Sequence, residues 1–179
     1  MINKINIKGE KVVLSNFQED DITDKYLSWL NDPEVIQFSR QRFIKHDFLS
    51  SKKYFESFVS SNNLFISIKL HKVNKMIGTM TVYFSEPNNA DVGILIGDKS
   101  EWGKGYGKDA WNTLLLWLEN ELNIAKITAG TLSSNIGMIR VFRESGMLLE
   151  SAKNNHENLN NKAVDVLYFS RFKNKKISK

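Results

Sequence analysis

The spacing of apolar residues changes along the chain, and each change predicts a different kind of element. Near the start, Val12 and Leu14 fall on one face of a short strand over Lys11–Ser15. Asp20, Asp21 and Thr23 then offer helix-starting side chains ahead of the helical spacing of Ile22, Tyr26, Leu27 and Leu30. Asn31-Asp32-Pro33 ends that helix and starts another, with Asp32 as its cap and Pro33 at the first helical position. Phe38–Lys45 is less regular, and a further helix over Asp47–Ser60 puts Phe48, Phe55, Phe58 and Val59 on its apolar side.

The middle of the chain switches to a period of two. Leu64, Ile66, Ile68 and Leu70 alternate strictly with other residues, as in a half-buried strand. A turn at Lys72–Lys75, a strand over Met76–Phe84, a turn at Glu86–Asn89 and a more continuously apolar strand over Ala90–Gly97 complete an antiparallel meander. The pattern then becomes helical again over Gly105–Leu122, where Ala110, Leu114, Leu118 and Leu122 fall four apart. A strand over Ala125–Leu132, a helix over Asn135–Ser145 stopped by Gly146, and two strands over Met147–Ala152 and Ala163–Phe172 joined by a polar loop follow. This order describes one mixed α/β domain over residues 1–172, not a doubly wound parallel sheet.

Composition narrows the function classes. The 179 residues contain no cysteine, which excludes disulfide scaffolds, thiolate metal sites and cysteine nucleophiles. His46, His71 and His156 are scattered without metal-site spacing. The net charge is +5, but the final KNKKISK carries four lysines, so residues 173–179 read as a frayed basic tail and nucleic-acid binding is not expected. No apolar run approaches the roughly 20 residues of a membrane span, and no secretory signal pattern opens the chain. A soluble, cytoplasmic protein is the expectation.

The chemistry concentrates in Trp102-Gly103-Lys104-Gly105-Tyr106-Gly107, between the central strand and the strongest helix. Glycines at alternate positions allow backbone amides to line one concave turn, and the helix N-terminus that follows adds its own unpaired amides. Such a loop suits a diphosphate, with Lys104 and Lys108 supplying charge from the rim. It lacks the Gly-Lys-Ser/Thr end of a Walker loop, and it comes too late in the chain for a Rossmann fingerprint.

The stretch from Asp91 through this loop resembles the acetyl-CoA signature of the GNAT superfamily of N-acetyltransferases, with Trp102 where the family has Arg or Gln. A second block, Asn135 to Phe142 followed by Glu144-Ser145-Gly146-Met147, is similar to the family's second CoA helix. Tyr26–Val35 resembles the first helix pair of the branch that includes the ribosomal-protein N-terminal acetyltransferases. The resemblance covers most of residues 10–170. It implies a mostly antiparallel twisted sheet, splayed where the pantetheine arm of acetyl-CoA lies between Ile94–Ile96 and Lys126–Leu132, with Gly93 either a bulge that starts the splay or a site of close packing. The pyrophosphate would sit on amides of Trp102–Lys108 (Trp102, Gly103, Lys104, Gly105, Tyr106, Gly107 and Lys108), and Ile94, Leu95, Ile96, Asn135 and Phe142 would meet the rest of the cofactor. Asn135 is equally a helix N-cap.

The same resemblance makes Asp91 the candidate base that deprotonates the acceptor amine through water; the alternative is a plain strand-end acid. Where the family usually carries the tyrosine that protonates the leaving thiolate, this chain has Phe142, so Ser133, Ser134, Tyr106 or water would have to serve. Trp29, Arg42, Phe43 and His46 are the candidate acceptor-binding residues, with Arg42 suited to an anionic group such as a phosphate, unless it is simply a surface arginine. The expected acceptor is a primary amine, on an amino sugar (free or nucleotide-linked) ahead of a protein N-terminus, and a CoA-binding module without catalysis is the rival reading. A homodimer through the last strands is possible in this family.

Overall fold

The computed structural model describes residues 5–86 and 88–173. Eight strands form one sheet: β1 (Asn6–Lys8), β2 (Val12–Asn16), β3 (Leu64–Leu70), β4 (Met76–Glu86), β5 (Asn89–Ile96), β6 (Lys126–Leu132), β7 (Leu148–Leu159) and β8 (Lys162–Phe172). Their spatial order is β1-β2-β3-β4-β5-β6-β8-β7, antiparallel throughout except between β5 and β6. Helices α1 (Asp24–Leu30), α2 (Pro33–Ile36) and α3 (Phe48–Val59) precede the meander, and α4 (Tyr106–Asn120) and α5 (Ile136–Glu144) flank β6.

Each face of the sheet carries its own apolar layer. On one, Trp111, Leu114, Leu115 and Leu118 of α4 and Phe142 of α5 pack on Ile66, Ile68, Met80, Val82, Ile127 and Phe169. On the other, Tyr26, Trp29 and Leu30 of α1 and Phe58 of α3 pack on Phe17 and Phe65. Because both faces are covered, β3 buries Phe65 and Ser67 as well as Leu64, Ile66 and Ile68, and is not the half-buried strand its alternation suggested. In α3, Phe58 turns inward and Phe55 packs beside it, whereas Phe48 and Val59 are exposed. The reciprocal cap between Asp47 and Ser50 fixes the start of that helix.

Two further differences from the sequence reading have local causes. Asn6–Lys8 adds an edge strand too short to show a period. The supposed polar loop over Lys153–Lys162 is instead the far part of a long hairpin, turned by Asn160 and Asn161 at φ 52° and 61°. Asparagine tolerates this left-handed backbone and closes the tight turn as glycine would. Both hairpin strands are largely exposed there, so no hydrophobic alternation marks them. Lys173, taken as the start of the tail, is anchored through its amide to the Ala125 carbonyl and through Nζ to Asn123. Residues 174–179 lie outside the described residues. No helix among the described residues is long and apolar enough to cross a membrane.

Candidate active site

β5 and β6 pair only at Asn89–Lys126, Ala90–Ile127 and Asp91–Thr128. Beyond those pairs no ladder joins Val92–Ile96 to Ala129–Leu132 among the described residues, while each strand keeps its outer neighbour. The sheet therefore opens into a V, narrow at Asp91 and Thr128 and widening toward the carboxyl ends of both strands. Beyond those pairs the backbone groups on its inner edges have no ladder partner and can bond an extended ligand, except the Ile96 carbonyl, which a side chain already occupies. Gly93 lies in an unbroken register opposite Thr81, and a Cβ there would stand 2.8 Å from the Thr81 hydroxyl. Close packing, not a bulge, accounts for that glycine.

At the wide end β5 leads into the glycine loop. Gly103 and Gly105 have φ of 75° and 83°, left-handed values that side chains rarely adopt. Gly105 caps α4 with no side chain, and the helix's first hydrogen bond runs from the Asp109 amide to the Gly105 carbonyl at 3.0 Å. The amides from Gly103 to Lys108 consequently have no acceptor among the described residues. They form a run of unsatisfied donors at the positive end of a 15-residue helix, a setting that favours an anion. The first turn of α4 packs on Ile96 at Gly107. Trp102 folds back and donates from Nε1 to the Ile96 carbonyl at 2.8 Å. The loop is braced from behind: Lys11 Nζ donates to the Lys104 carbonyl at 3.0 Å, and the Asp109 carboxylate accepts the Lys11 and Val12 amides at 2.8 and 3.0 Å.

The lysines expected at the rim are already engaged. Lys104 pairs with Glu101 at 2.8 Å, and Lys75 bridges Glu101 and Asp98, at 3.1 and 2.8 Å. Lys25 also meets Asp98 at 2.8 Å. Burial pushes the Asp98 carboxyl up, but hydrogen bonds from Lys25, Lys75 and Ser100 outweigh it and hold the group far below the usual carboxylate range. Lys108 pairs with Glu144 at 2.7 Å, and hydrogen bonds from Lys108 and Arg140 draw that carboxyl down to about 2. Both lysines remain about half exposed, so a phosphate can share them without breaking the cluster.

Asp91 stands at the narrow end, facing the α1–α3 side, and the hydroxyl of Thr128 donates to its Oδ2 at 2.7 Å. Crowding by the surrounding chain pushes the Asp91 carboxyl up, and the Thr128 hydrogen bond only partly offsets this. Directly across the β4–β5 ladder lies Tyr83, whose hydroxyl is 3.0 Å from that of Tyr54 on α3. Desolvation raises Tyr54, so it stays a neutral phenol at any ordinary pH. Tyr168 of β8 lies over Gly130 of β6, with ring carbons 3.4 Å from where a Cβ would stand. Thr128, Tyr54, Tyr83 and Tyr168 escaped the sequence reading, because only the strand register and, for Tyr54, the packing of α3 put them on the face of Asp91.

The other predicted residues are spread over the core, the start of α5, the turn after α2 and the β5 edge. Trp29 is buried against the backbone of Gly97, where a Cβ would fall 2.2 Å from its ring. Phe142 is 1 % exposed, with ring centroids 5.1 Å from those of both Trp111 and Phe169, and is a core residue. Asn135 caps α5, accepting the Met138 amide at 3.2 Å while its own amide donates to Thr131 at 3.1 Å. Arg42 pairs with Glu157 at 2.8 Å and is not free for a substrate phosphate. Phe43 is largely exposed beside it, and His46 exchanges backbone bonds with the Asn31 side chain. Ile94, Leu95 and Ile96 line the β5 side of the V.

A sheet splayed between two parallel strands, with a helix of unsatisfied amides at its wide end, suits an extended ligand that carries phosphate. The model of the GNAT acetyltransferase domain matches residues 11–148, and the chain belongs to that family. It is an acyltransferase, and acetyl-CoA is its acetyl donor. It is 26% identical over 154 residues to an uncharacterized protein of Methanocaldococcus jannaschii, covering 84% of this chain but 30% of that protein. It is 21% identical to an N-acetyltransferase 9-like protein of Nematostella vectensis, over 80% of this chain and 78% of the other. Among solved structures it superposes on a GNAT-family acetyltransferase from Bacillus anthracis with TM-score 0.81, 17% identity and coverage of 94% and 99%. It superposes on spermidine N-acetyltransferase from Vibrio cholerae, solved with CoA and spermine, with TM-score 0.80, 16% identity and coverage of 90% and 95%. These two structural likenesses establish the fold.

The residues present fit acetyl-CoA. The free amides of Gly103–Lys108 match a pyrophosphate, and the unpaired inner edges of β5 and β6 match the amide-bearing pantetheine arm.

Proposed function

We propose that this chain acetylates a small primary amine rich in hydroxyl groups, an amino sugar either free or nucleotide-linked, and that Asp91 takes the amine's proton. The observation that carries this reading is the pairing of Asp91 with Thr128 at the narrow end of the V, on the same face as the hydroxyls of Tyr54 and Tyr83. A carboxylate attracts the ammonium form of the acceptor, and a raised carboxyl accepts its proton more readily than an ordinary aspartate. The phenols and Thr128 offer donors and acceptors to sugar hydroxyls. With Arg42 held by Glu157, a nucleotide-linked substrate would have to place its phosphates on other groups.

Acetyl-CoA supplies a thioester whose C–S bond is replaced by a C–N bond to the acceptor. Free β5 amides beyond Asp91 polarise the carbonyl, the acceptor's proton passes to Asp91 directly or through one water, and the departing sulfur takes a proton from solvent. Phe142 has none to give and lies in the core. Dependence on acetyl-CoA and the absence of cysteine suit the cytoplasm.

Since the protein has no thiol of its own, released CoA can be followed with a thiol reagent without background. We expect turnover with glucosamine or its nucleotide-linked form at a kcat/KM at least about tenfold above that of alanine- or serine-initiated peptides and of spermidine. A preference for the peptides would assign a protein N-terminus instead. Binding of acetyl-CoA with no turnover on any amine would leave a CoA-binding module.

A further inference from the structure

The two halves of the sheet part beyond Asp91 and Thr128, yet on the α1–α3 side of the sheet an ion pair spans them. Arg42 lies on the short 3-10 turn Arg40–Phe43 that follows α2, and α2 packs on β5. Glu157 belongs to β7, in the part of the hairpin that runs on past Leu132, the last residue of β6 paired to β8. The ion pair between them therefore links the β5 half to the β6 half beyond the wide end of the V.

The contact is built to hold. Arg42 Nη2 stands 2.8 Å from Glu157 Oε2, and the two side chains are only 12% and 15% exposed. Nη1 donates to the Ser39 carbonyl at 2.8 Å, and the guanidinium lies 4.2 Å over the Phe43 ring. On the hairpin side, the β7–β8 register shifts between Lys153 and Glu157, with Asn155 at φ 49° and its amide bonded to Asp165 at 2.8 Å. Such a bulge bends a strand and re-aims the residues that follow it. Apart from the ion pair the contact is loose: a groove of about 460 Å3 separates the turn from the hairpin tip at Leu159 and Asn160.

We infer that Arg42 and Glu157 are specificity-determining residues that close the acceptor opening into a ring. The ring runs from the Asp91–Thr128 pair along β6 and the hairpin, across the ion pair, and back through α2 and β5. An amine on a small body passes through it, and an amine on a bulky body does not. The inference rests on the acceptor lying on the Asp91 face, as proposed above, but not on the acceptor being a sugar.

The test compares acceptors of one amine chemistry that differ in bulk: glucosamine against a glucosamine oligomer, and an alanine dipeptide against a folded protein with an N-terminal alanine. Arg42→Ala and Glu157→Ala should each raise the bulky-to-small ratio of kcat/KM by about tenfold or more, with the KM for acetyl-CoA unchanged. The swap Arg42→Glu with Glu157→Arg should bring the ratio back toward the wild-type value, which a merely destabilised fold would not do. A ratio unmoved by either single substitution, or one that the swap fails to restore, overturns the inference. Which pair of acceptors turns over at all reports separately on the sugar assignment.

Discussion

With Asp91 proposed as the general base, its replacement by asparagine is expected to lower kcat for amine acetylation by about 100- to 10,000-fold, the usual loss when such a group is removed. Asparagine keeps the shape and can still accept the Thr128 hydroxyl, so the site is preserved while the proton acceptor is lost. The pH profile gives an independent check. Desolvation by the surrounding chain raises the Asp91 carboxyl, so kcat/KM in the wild type falls on an acid limb placed above the ordinary aspartate value of about 4, and that limb disappears in the variant. Stability moves the other way. A carboxyl raised in the folded state binds its proton more tightly there than in the unfolded chain, so folding loses stability as pH rises from the unfolded value through the folded one. At neutral pH the asparagine variant is therefore expected to be at least as stable as the parent, and thermal unfolding in parallel with the kinetics separates lost chemistry from lost structure.

The second large effect is on the fold. Phe142→Ala removes a ring sealed between Trp111 and Phe169 and costs about 3–5 kcal/mol of stability, on the order of 10 °C in unfolding midpoint for a chain of this size. Family resemblance puts this position next to the leaving sulfur, whereas the packing makes it the centre of the layer beneath α4 and α5. If Phe142 acted mainly on acetyl-CoA, the alanine variant would keep its midpoint and lose affinity. We expect the reverse order of magnitudes: a large fall in midpoint and a secondary change in KM.

What the sequence made legible follows from where periodicity survives. α4 was readable because Ala110, Leu114 and Leu118 are all buried in one layer, so the spacing of four reports a real face. The glycine loop was readable because left-handed φ at Gly103 and Gly105 restricts the residue type. β3 misled because Phe65 and Ser67, read as its outer face, lie under α3 and the loop before α1. The hairpin beyond Lys153 left no pattern, since both its faces meet solvent. The acceptor side was least legible. Asp91 was visible by resemblance, but Tyr54, Tyr83 and Thr128 join it only through strand register and a helix packed from elsewhere in the chain. Arg42 showed the converse failure: a cation with no acid beside it in sequence finds one 115 positions away.

The central claim is that acetyl-CoA is held at the amides of the glycine loop, at the wide end of the V. The direct measurement is the amide spectrum of isotopically labelled protein titrated with CoA. The account predicts that the resonances of Gly103–Lys108 and of the inner edges of β5 and β6 move first and furthest. A concavity of about 960 Å3 touches the loop at Gly105 and Lys108 but extends the other way, between Ile7–Lys11 and the outer face of α4 at Asn112, Leu116 and Asn120. Shifts at Ile7, Asn112 and Leu116 with the amides of Gly103, Lys104, Tyr106 and Gly107 unmoved would contradict the account.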